Sequence, residues 1–188
     1  MIRSFVALLI PGAWAEYLGG VERDLAGATS GISWVKPENL HVTLRFLGDL
    51  GESGAARAGA SVRRGAEESP AIPGKLGGLG AFPTMNRPRV LWAALAEGAP
   101  EAVALAKAVN GCLQRDGFGP PDKPFRAHIT LGRIREAARG LDALRAYVPP
   151  PAPAGAWLDR VALMKSDLHP AGARYTALVE VRLRQPGS

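Results

Sequence analysis

The same four-residue pattern occurs twice in this chain, as His41-Val42-Thr43-Leu44 and His128-Ile129-Thr130-Leu131. The chain holds only 3 histidines and five threonines among 188 residues, so each copy draws on scarce side chains. In a β-strand, residues i and i+2 leave one face and the residue between them leaves the other. Each copy therefore reads as a strand that presents one imidazole and one hydroxyl on a shared surface. Val42 and Leu44, or Ile129 and Leu131, anchor it from behind. A fold that makes use of both copies must bring the two strands to one place, which points to a site built from two halves.

The rest of the chain can be read as two halves of similar order. Residues 3–10 form a nearly continuous apolar run, the pattern of a strand buried on both faces. That run follows a basic N-terminus, but Pro11-Gly12 ends it early and no small-residue cleavage site follows, so a first strand fits better than a signal peptide. Pro11 suits a helix start, and Trp14, Leu18, Val21 and Leu25 fall on one helical face. Short strands follow at 33–35 and 40–48, then an alanine-rich helix at 52–68. Residues 72–82, broken by four glycines, read as an irregular strand with bends or bulges. The second half has a strand at 89–95 and a helix at 100–115 with Val103, Leu105, Ala106, Val109 and Leu113 near one face. A proline-flanked loop leads into a strand at 125–134, and a short helix at 139–147 precedes closing strands at 157–165 and 174–183. Strand–helix–strand–strand in each half predicts two related α/β lobes facing one another within a single domain spanning 1–188.

Bulk properties bound the function. Hydrophobic residues make up 47% and charged residues 21%, ordinary values for a globular protein. No apolar run approaches the ~20 residues needed to span a bilayer. One cysteine, Cys112, rules out an internal disulfide and suits a reducing cytoplasm; on an apolar helix face it reads as a small buried residue. The net charge of +6 is carried by 18 arginines against five lysines. Arginine offers a planar fork that matches phosphate oxygens, and the excess favours a polyanionic partner such as RNA.

Two imidazoles and two hydroxyls around a small cavity suit a tetrahedral phosphate. The hydroxyls would bond its non-bridging oxygens while the imidazoles sit near the entering and leaving oxygens. Phosphodiester hydrolysis needs one group to take a proton from water and another to give one to the leaving alkoxide. Histidine, with an unperturbed pKa near ~6.5, serves in either state without a metal. Arg126 and Arg133 flank the second histidine and Arg45 follows the first, placed to stabilise charge developing on phosphoryl oxygens. A metal centre fits less well, because His-x-Thr supplies one good ligand per strand. No Gly-x-Ser-x-Gly elbow supports a serine hydrolase. Phe46, at i+5 from His41, belongs to the opposite face of a regular strand and so to the core. His169 sits in a turn-like stretch, Leu168 to Gly172, as an exposed residue.

At these residues the chain resembles the two-histidine phosphoesterase superfamily, and within it the RNA 2′,3′-cyclic phosphodiesterases, also described as 2′-5′ RNA ligases. The resemblance spans nearly the whole chain. It includes Arg3-Ser4-Phe5-Val6-Ala7-Leu8 and Trp34-Val35-Lys36-Pro37-Glu38-Asn39-Leu40 leading into the first motif. Further matches are Gly80-Ala81-Phe82-Pro83, Arg87-Pro88-Arg89-Val90-Leu91-Trp92 and Pro124-Phe125-Arg126-Ala127 before the second motif. Lys165 stands where the family often has Glu before the serine at 166. The resemblance implies a bilobal α+β fold with an antiparallel sheet in each lobe and the site in the cleft between them. It implies hydrolysis of a ribose 2′,3′-cyclic phosphate to a 2′-phosphate, with no cofactor and no metal. His41 would then be the proton donor to the departing O3′, His128 the base activating water, and Thr43 and Thr130 the phosphate ligands. Tyr175 and Ser166 are weaker candidates, expected to be structural. The expected partner is RNA with a 2′,3′-cyclic phosphate end, acted on by a monomer in the cytoplasm. A 2′-5′ ligase on the same scaffold and a non-catalytic RNA-binding module are the alternatives.

Overall fold

The computed structural model describes residues 1–169 and 172–185. In chain order the elements are β1 (Ile2–Leu9), α1 (Gly12–Ala28), β2 (Ser30–Trp34), a 3₁₀ turn (Pro37–Asn39), β3 (His41–Leu50), α2 (Glu52–Glu67), β4 (Ile72–Thr84), β5 (Arg87–Glu97), α3 (Ala99–Arg115), β6 (His128–Arg139), α4 (Asp142–Ala146), β7 (Ala156–Leu158), β8 (Arg160–Asp167) and β9 (Arg174–Arg182). The strands pair in the order β7-β4-β5-β6-β3-β1-β8-β9, with β2 also on β6. Every pair of strands is antiparallel.

At the centre of this order β3 and β6 meet at a single residue pair, Val42 opposite Ile129. That narrow waist divides the sheet into two antiparallel lobes, β1-β3-β8-β9 and β2-β4-β5-β6-β7. The lobes are related about the waist, because β3 answers β6, β1 answers β5 and β8 answers β4. The architecture is thus the α+β, bilobal one expected. Among the described residues no helix is long and apolar enough to cross a membrane.

The lobes are not consecutive halves of the chain, as the repeated element order suggests. The strand expected at 157–165 breaks at Asp159 into β7, which pairs with β4, and β8, which pairs with β1 and β9. The C-terminal strands therefore complete the lobe that the N-terminal strand begins. The helices cross as well. Although α1 follows β1, it packs towards the other lobe, where Gly74 of β4 leaves room for Trp14. Its buried face is the expected one: Trp14, Leu18, Val21 and Leu25 are each 1% exposed. Helix α3 follows β5 but lies against α2, at Gly65, where a Cβ would stand 2.7 Å from the Val109 backbone. Val103 turns outward, 46% exposed, while Ala102, Leu105, Ala106, Val109 and Leu113 are buried.

Register shifts then decide which side chains reach the waist. Ala7 pairs with Thr43 but Val6 with Arg45, so Leu44 is an extra residue in β3. Trp92 pairs with Thr130 but Leu91 with Gly132, so Leu131 is the matching extra residue in β6. A one-residue bulge moves the following side chains to the opposite face. Strand β6 begins at His128 rather than 125, since 119–127 form a loop, and it runs on to Arg139 because β2 pairs alongside it.

Candidate active site

Position two of one motif pairs with position two of the other, so a local two-fold axis passes between Val42 and Ile129. Both side chains are fully buried, at 0% exposure, which sends their neighbours to the opposite face. His41, Thr43, His128 and Thr130 all line one cleft of about 950 Å³ between the lobes. The sequence-predicted imidazoles and hydroxyls are therefore brought together.

The two rings are held in the same way. His41 Nδ1 donates to the carbonyl of Asn39 at 2.7 Å, and His128 Nδ1 to the carbonyl of Arg126 at 2.7 Å. A carbonyl only accepts, so the proton of each neutral ring sits on Nδ1 and Nε2 keeps its lone pair. Asn39 is itself fixed, its amide donating to the carbonyl of Ala173 at 2.8 Å. His41 Nε2 lies 2.8 Å from Thr43 Oγ1, whose hydroxyl donates to the neutral ring.

Aromatic rings flank each imidazole. Phe5 stacks on His41 at 4.9 Å and 27°, and Tyr175 meets it edge-on at 5.6 Å. His128 has Phe82 edge-on at 5.1 Å and Trp92 at 6.2 Å. Burial among these groups holds both histidines below the ordinary imidazole value. The Asn39 and Arg126 carbonyls oppose the shift. The second imidazole adds to it at His41, and the Arg133 guanidinium at His128.

All three expected arginines line the cleft, and Arg126 lies 5.8 Å over the Phe82 ring. Arg45 alone of the three is buried there. It is 9% exposed and its guanidinium is engaged by the side-chain oxygen of Asn110 at 2.7 Å and the carbonyls of Gly119 and Phe46. These bonds tie it to α3 and to the loop that leads to His128. The bulge at Leu44 explains both departures: it turns Arg45 inward and sets Phe46 on the His41 face. Phe46, expected in the core, is 63% exposed on the cleft wall. Arg133 occupies the equivalent place five residues after His128.

Tyr175 and Ser166, expected to be structural, also line the cleft, because their strands pair Ser166 with Tyr175 beside β1. Phe5, Phe82, Trp92 and Arg3 are site residues that the sequence pattern does not single out. Trp92 does follow from that pattern once β5 is placed beside β6. Phe5 is concealed by a strand apolar on both faces. His169 is exposed, while Pro170 and Ala171 of its turn lie outside the described residues. Cys112 is buried. Among the described residues, no three His, Cys, Asp or Glu side chains converge to hold a metal ion.

This arrangement can take a proton at one Nε2 and give one at the other across a bound group, with hydroxyls and guanidiniums for its oxygens. Comparison with known proteins points the same way. The profile of the LigT-like phosphoesterase family matches residues 10–92. A protein of Archaeoglobus fulgidus named RNA 2′,3′-cyclic phosphodiesterase is 38% identical over 149 residues, 78% of this chain and 81% of that one. One of the same name from Aquifex aeolicus is 31% identical over 186 residues, 97% of this chain and 98% of its own, and so spans both motifs. The crystal structure of TT0787 of Thermus thermophilus superposes with a TM-score of 0.79 at 27% identity, covering 98% of this chain and 99% of that one.

Proposed function

The chain belongs to the LigT-like phosphoesterases, and from that footing we propose that it hydrolyses the 2′,3′-cyclic phosphate at the end of an RNA to a 2′-phosphomonoester. The observation that carries this reading is the pairing of Val42 with Ile129, which sets two Nε2 atoms of fixed tautomer on either side of one cleft. Displacement at phosphorus brings in water on one side and expels O3′ on the other, so a base and an acid are needed on opposite sides.

In this reading His128 Nε2 takes a proton from water as its oxygen bonds to phosphorus. His41, entering the step as imidazolium, gives its Nε2 proton to O3′ as the P–O3′ bond breaks. The ribose keeps its P–O2′ bond and gains a free 3′-hydroxyl. The two histidines end with their proton states exchanged and reset through solvent. Two features support this division of roles. Arg133 opposes protonation of His128, which suits a resting base. Phe5 lies face to face with His41, and its ring face offsets part of the burial that disfavours an imidazolium there. Thr43 and Thr130 bond the non-bridging oxygens, and Arg126 and Arg133 offset their charge. The exposed face of Phe46 offers a stacking surface for a base. The buried single cysteine fits the reducing cytoplasm in which we place the reaction.

An RNA oligonucleotide with a 2′,3′-cyclic phosphate end, incubated with the protein and excess chelator, tests the reading. A product with a 2′-phosphate and a free 3′-hydroxyl is expected. A 3′-phosphate product, or turnover lost on chelation, contradicts it.

A further inference from the structure

The cations of this chain are treated unequally. The ion pairs among the described residues engage Arg63, Arg64, Lys75, Arg145, Arg160 and Lys165. Arg87, Arg89, Arg133 and Arg135 are exposed, and among the described residues none has a carboxylate within ion-pair distance. The topology gathers these four. Arg133 and Arg135 are two residues apart on β6, exposed on either side of the half-buried Ile134, so they share the face that bears the cleft, and the pairing with β2 holds as far as Ile134 opposite Ile32 before its register shifts. Strand β5 runs antiparallel to β6, with Val90 opposite Arg133, so its first residues lie beside the far part of β6. A second cavity of about 240 Å³ opens there, lined by Arg87, Arg89 and Arg135 together with Asn86, Glu136 and Leu141. Arg135 is steadied by a hydrogen bond from its Nε to Ser33 Oγ at 3.1 Å.

The geometry points to a path for the body of an RNA substrate along the β5–β6 border, with Arg135, Arg89 and Arg87 meeting its backbone phosphates. The inference rests on the proposed reaction, because a 2′,3′-cyclic phosphate can only end a strand, so all remaining nucleotides lie on its 5′ side. That strand must leave the cleft, and Arg133 stands where β6 leaves it. Two strand residues rise ~6.6 Å, comparable with the phosphate-to-phosphate step of an extended single strand. Arg135 lies seven residues beyond His128, on the order of 20 Å of strand, which a mononucleotide in the cleft does not span. Unpaired guanidiniums set out in a row suit a chain of phosphates better than a single anion. The site would therefore favour oligonucleotides over cyclic mononucleotides, without reading base sequence.

The test compares the wild-type protein with Arg87→Gln/Arg89→Gln/Arg135→Gln, three exposed positions outside the catalytic cleft. Steady-state constants are measured on a 2′,3′-cyclic mononucleotide and on a ten-residue oligonucleotide with the same terminal base. The expected result is an oligonucleotide KM raised about tenfold with the mononucleotide constants unchanged. The slope of log KM against log salt should fall by about 2, at ~0.7 for each single-strand phosphate deprived of its arginine. Equal effects on both substrates, or none on the oligonucleotide, overturn the path. Fluorescence anisotropy with a non-reactive oligonucleotide ending in a 3′-phosphate reads the path without turnover. Failure of the wild-type protein to hydrolyse either substrate defeats the proposed reaction, whereas loss of salt-dependent affinity in the triple variant still supports the path. Unchanged affinity overturns it.

Discussion

Gly80 stands directly opposite Trp92 across the β4–β5 pair, and the indole lies over it. A Cβ at this position would sit 2.3 Å from Cη2 and 2.4 Å from Cζ2 of Trp92. Carbon atoms in contact stay ~3.5–4.0 Å apart, so Gly80→Ala must drive the indole away by about 1.2–1.7 Å. The ring has little room to move. Phe82 lies 5.1 Å from it and His128 6.2 Å, and Thr130 is its register partner on β6. The displacement therefore reaches the second His-x-Thr motif. Overpacking of this kind costs ~1–3 kcal/mol. At ~2–4 °C per kcal/mol for a chain of 188 residues, Tm should fall by about 2–12 °C. An error of ~1 Å at a catalytic group can cost 10²-fold, so kcat should drop about 10- to 100-fold. All three clashing atoms, Cη2, Cζ2 and Cε2 at 2.8 Å, belong to the six-membered ring of the indole, which Trp92→Phe removes. Gly80→Ala/Trp92→Phe should thus be less damaged than the sum of its parts, with a coupling of about 0.5–3 kcal/mol. Thermal unfolding and turnover of a cyclic-phosphate oligonucleotide, measured across the full cycle, check this. A Gly80→Ala protein with wild-type Tm and kcat, or a strictly additive cycle, would refute the packing argument.

Glu22 on α1 is 6% exposed, its Oε1 lacks a hydrogen-bond partner among the described residues, and burial pushes its carboxyl up to about 8 against the opposing charge of Arg23. The unfolded chain releases this proton near pH 4.5 and the folded one does not, so stability is unaffected below that pH, is lost up to about pH 8 and is level above it. Glu22→Gln should therefore gain about 2–3 kcal/mol on the wild type between pH 4.5 and 7, after discounting ~3.4 kcal/mol for residual solvent screening; parallel urea-unfolding curves would count against it. Since both imidazoles are held below 6.5, kcat/KM should be bell-shaped with its maximum on the acid side of that value. Arg133→Gln, which removes the cation opposing protonation of His128, should move the profile to higher pH, and an unmoved profile contradicts that electrostatic role. Arg45→Met should destabilise the protein by about 1–3 kcal/mol by orphaning buried partners, and raise KM by freeing the loop before His128. A stability loss with KM unchanged would separate Arg45 from the cleft.

The repeated motif is legible because strand periodicity converts His-x-Thr directly into side chains on one face, and both strands keep that period as far as Thr43 and Thr130. It fails at the next residue. Leu44 and Leu131 are bulged, and nothing in Leu44-Arg45-Phe46 announces the extra residue. Phe46 and Arg45 therefore each take the place that a regular strand reserves for the other. Helix α1 is readable from the spacing of Trp14, Leu18, Val21 and Leu25, but not the lobe it covers, since partner choice depends on contacts distant in the chain. The break at Asp159 is hidden for the same reason: residues 157–165 hold no Gly or Pro to stop a strand, and only their partners, β4 on one side and β1 on the other, divide them. Phe5 cannot be assigned to the cleft from a strand that is apolar on both faces.

Single-turnover kinetics of His41→Ala, His128→Ala and the double variant test most directly whether the two histidines act as one acid–base pair across a bound phosphate. With chelator present and substrate saturating, each single variant should lose about 10²–10⁴-fold in rate while still binding the oligonucleotide. The double variant should be little worse than the poorer single one, because removing either member of a concerted pair disables the other. Full turnover in either single variant, or two losses that simply multiply, would contradict the pair.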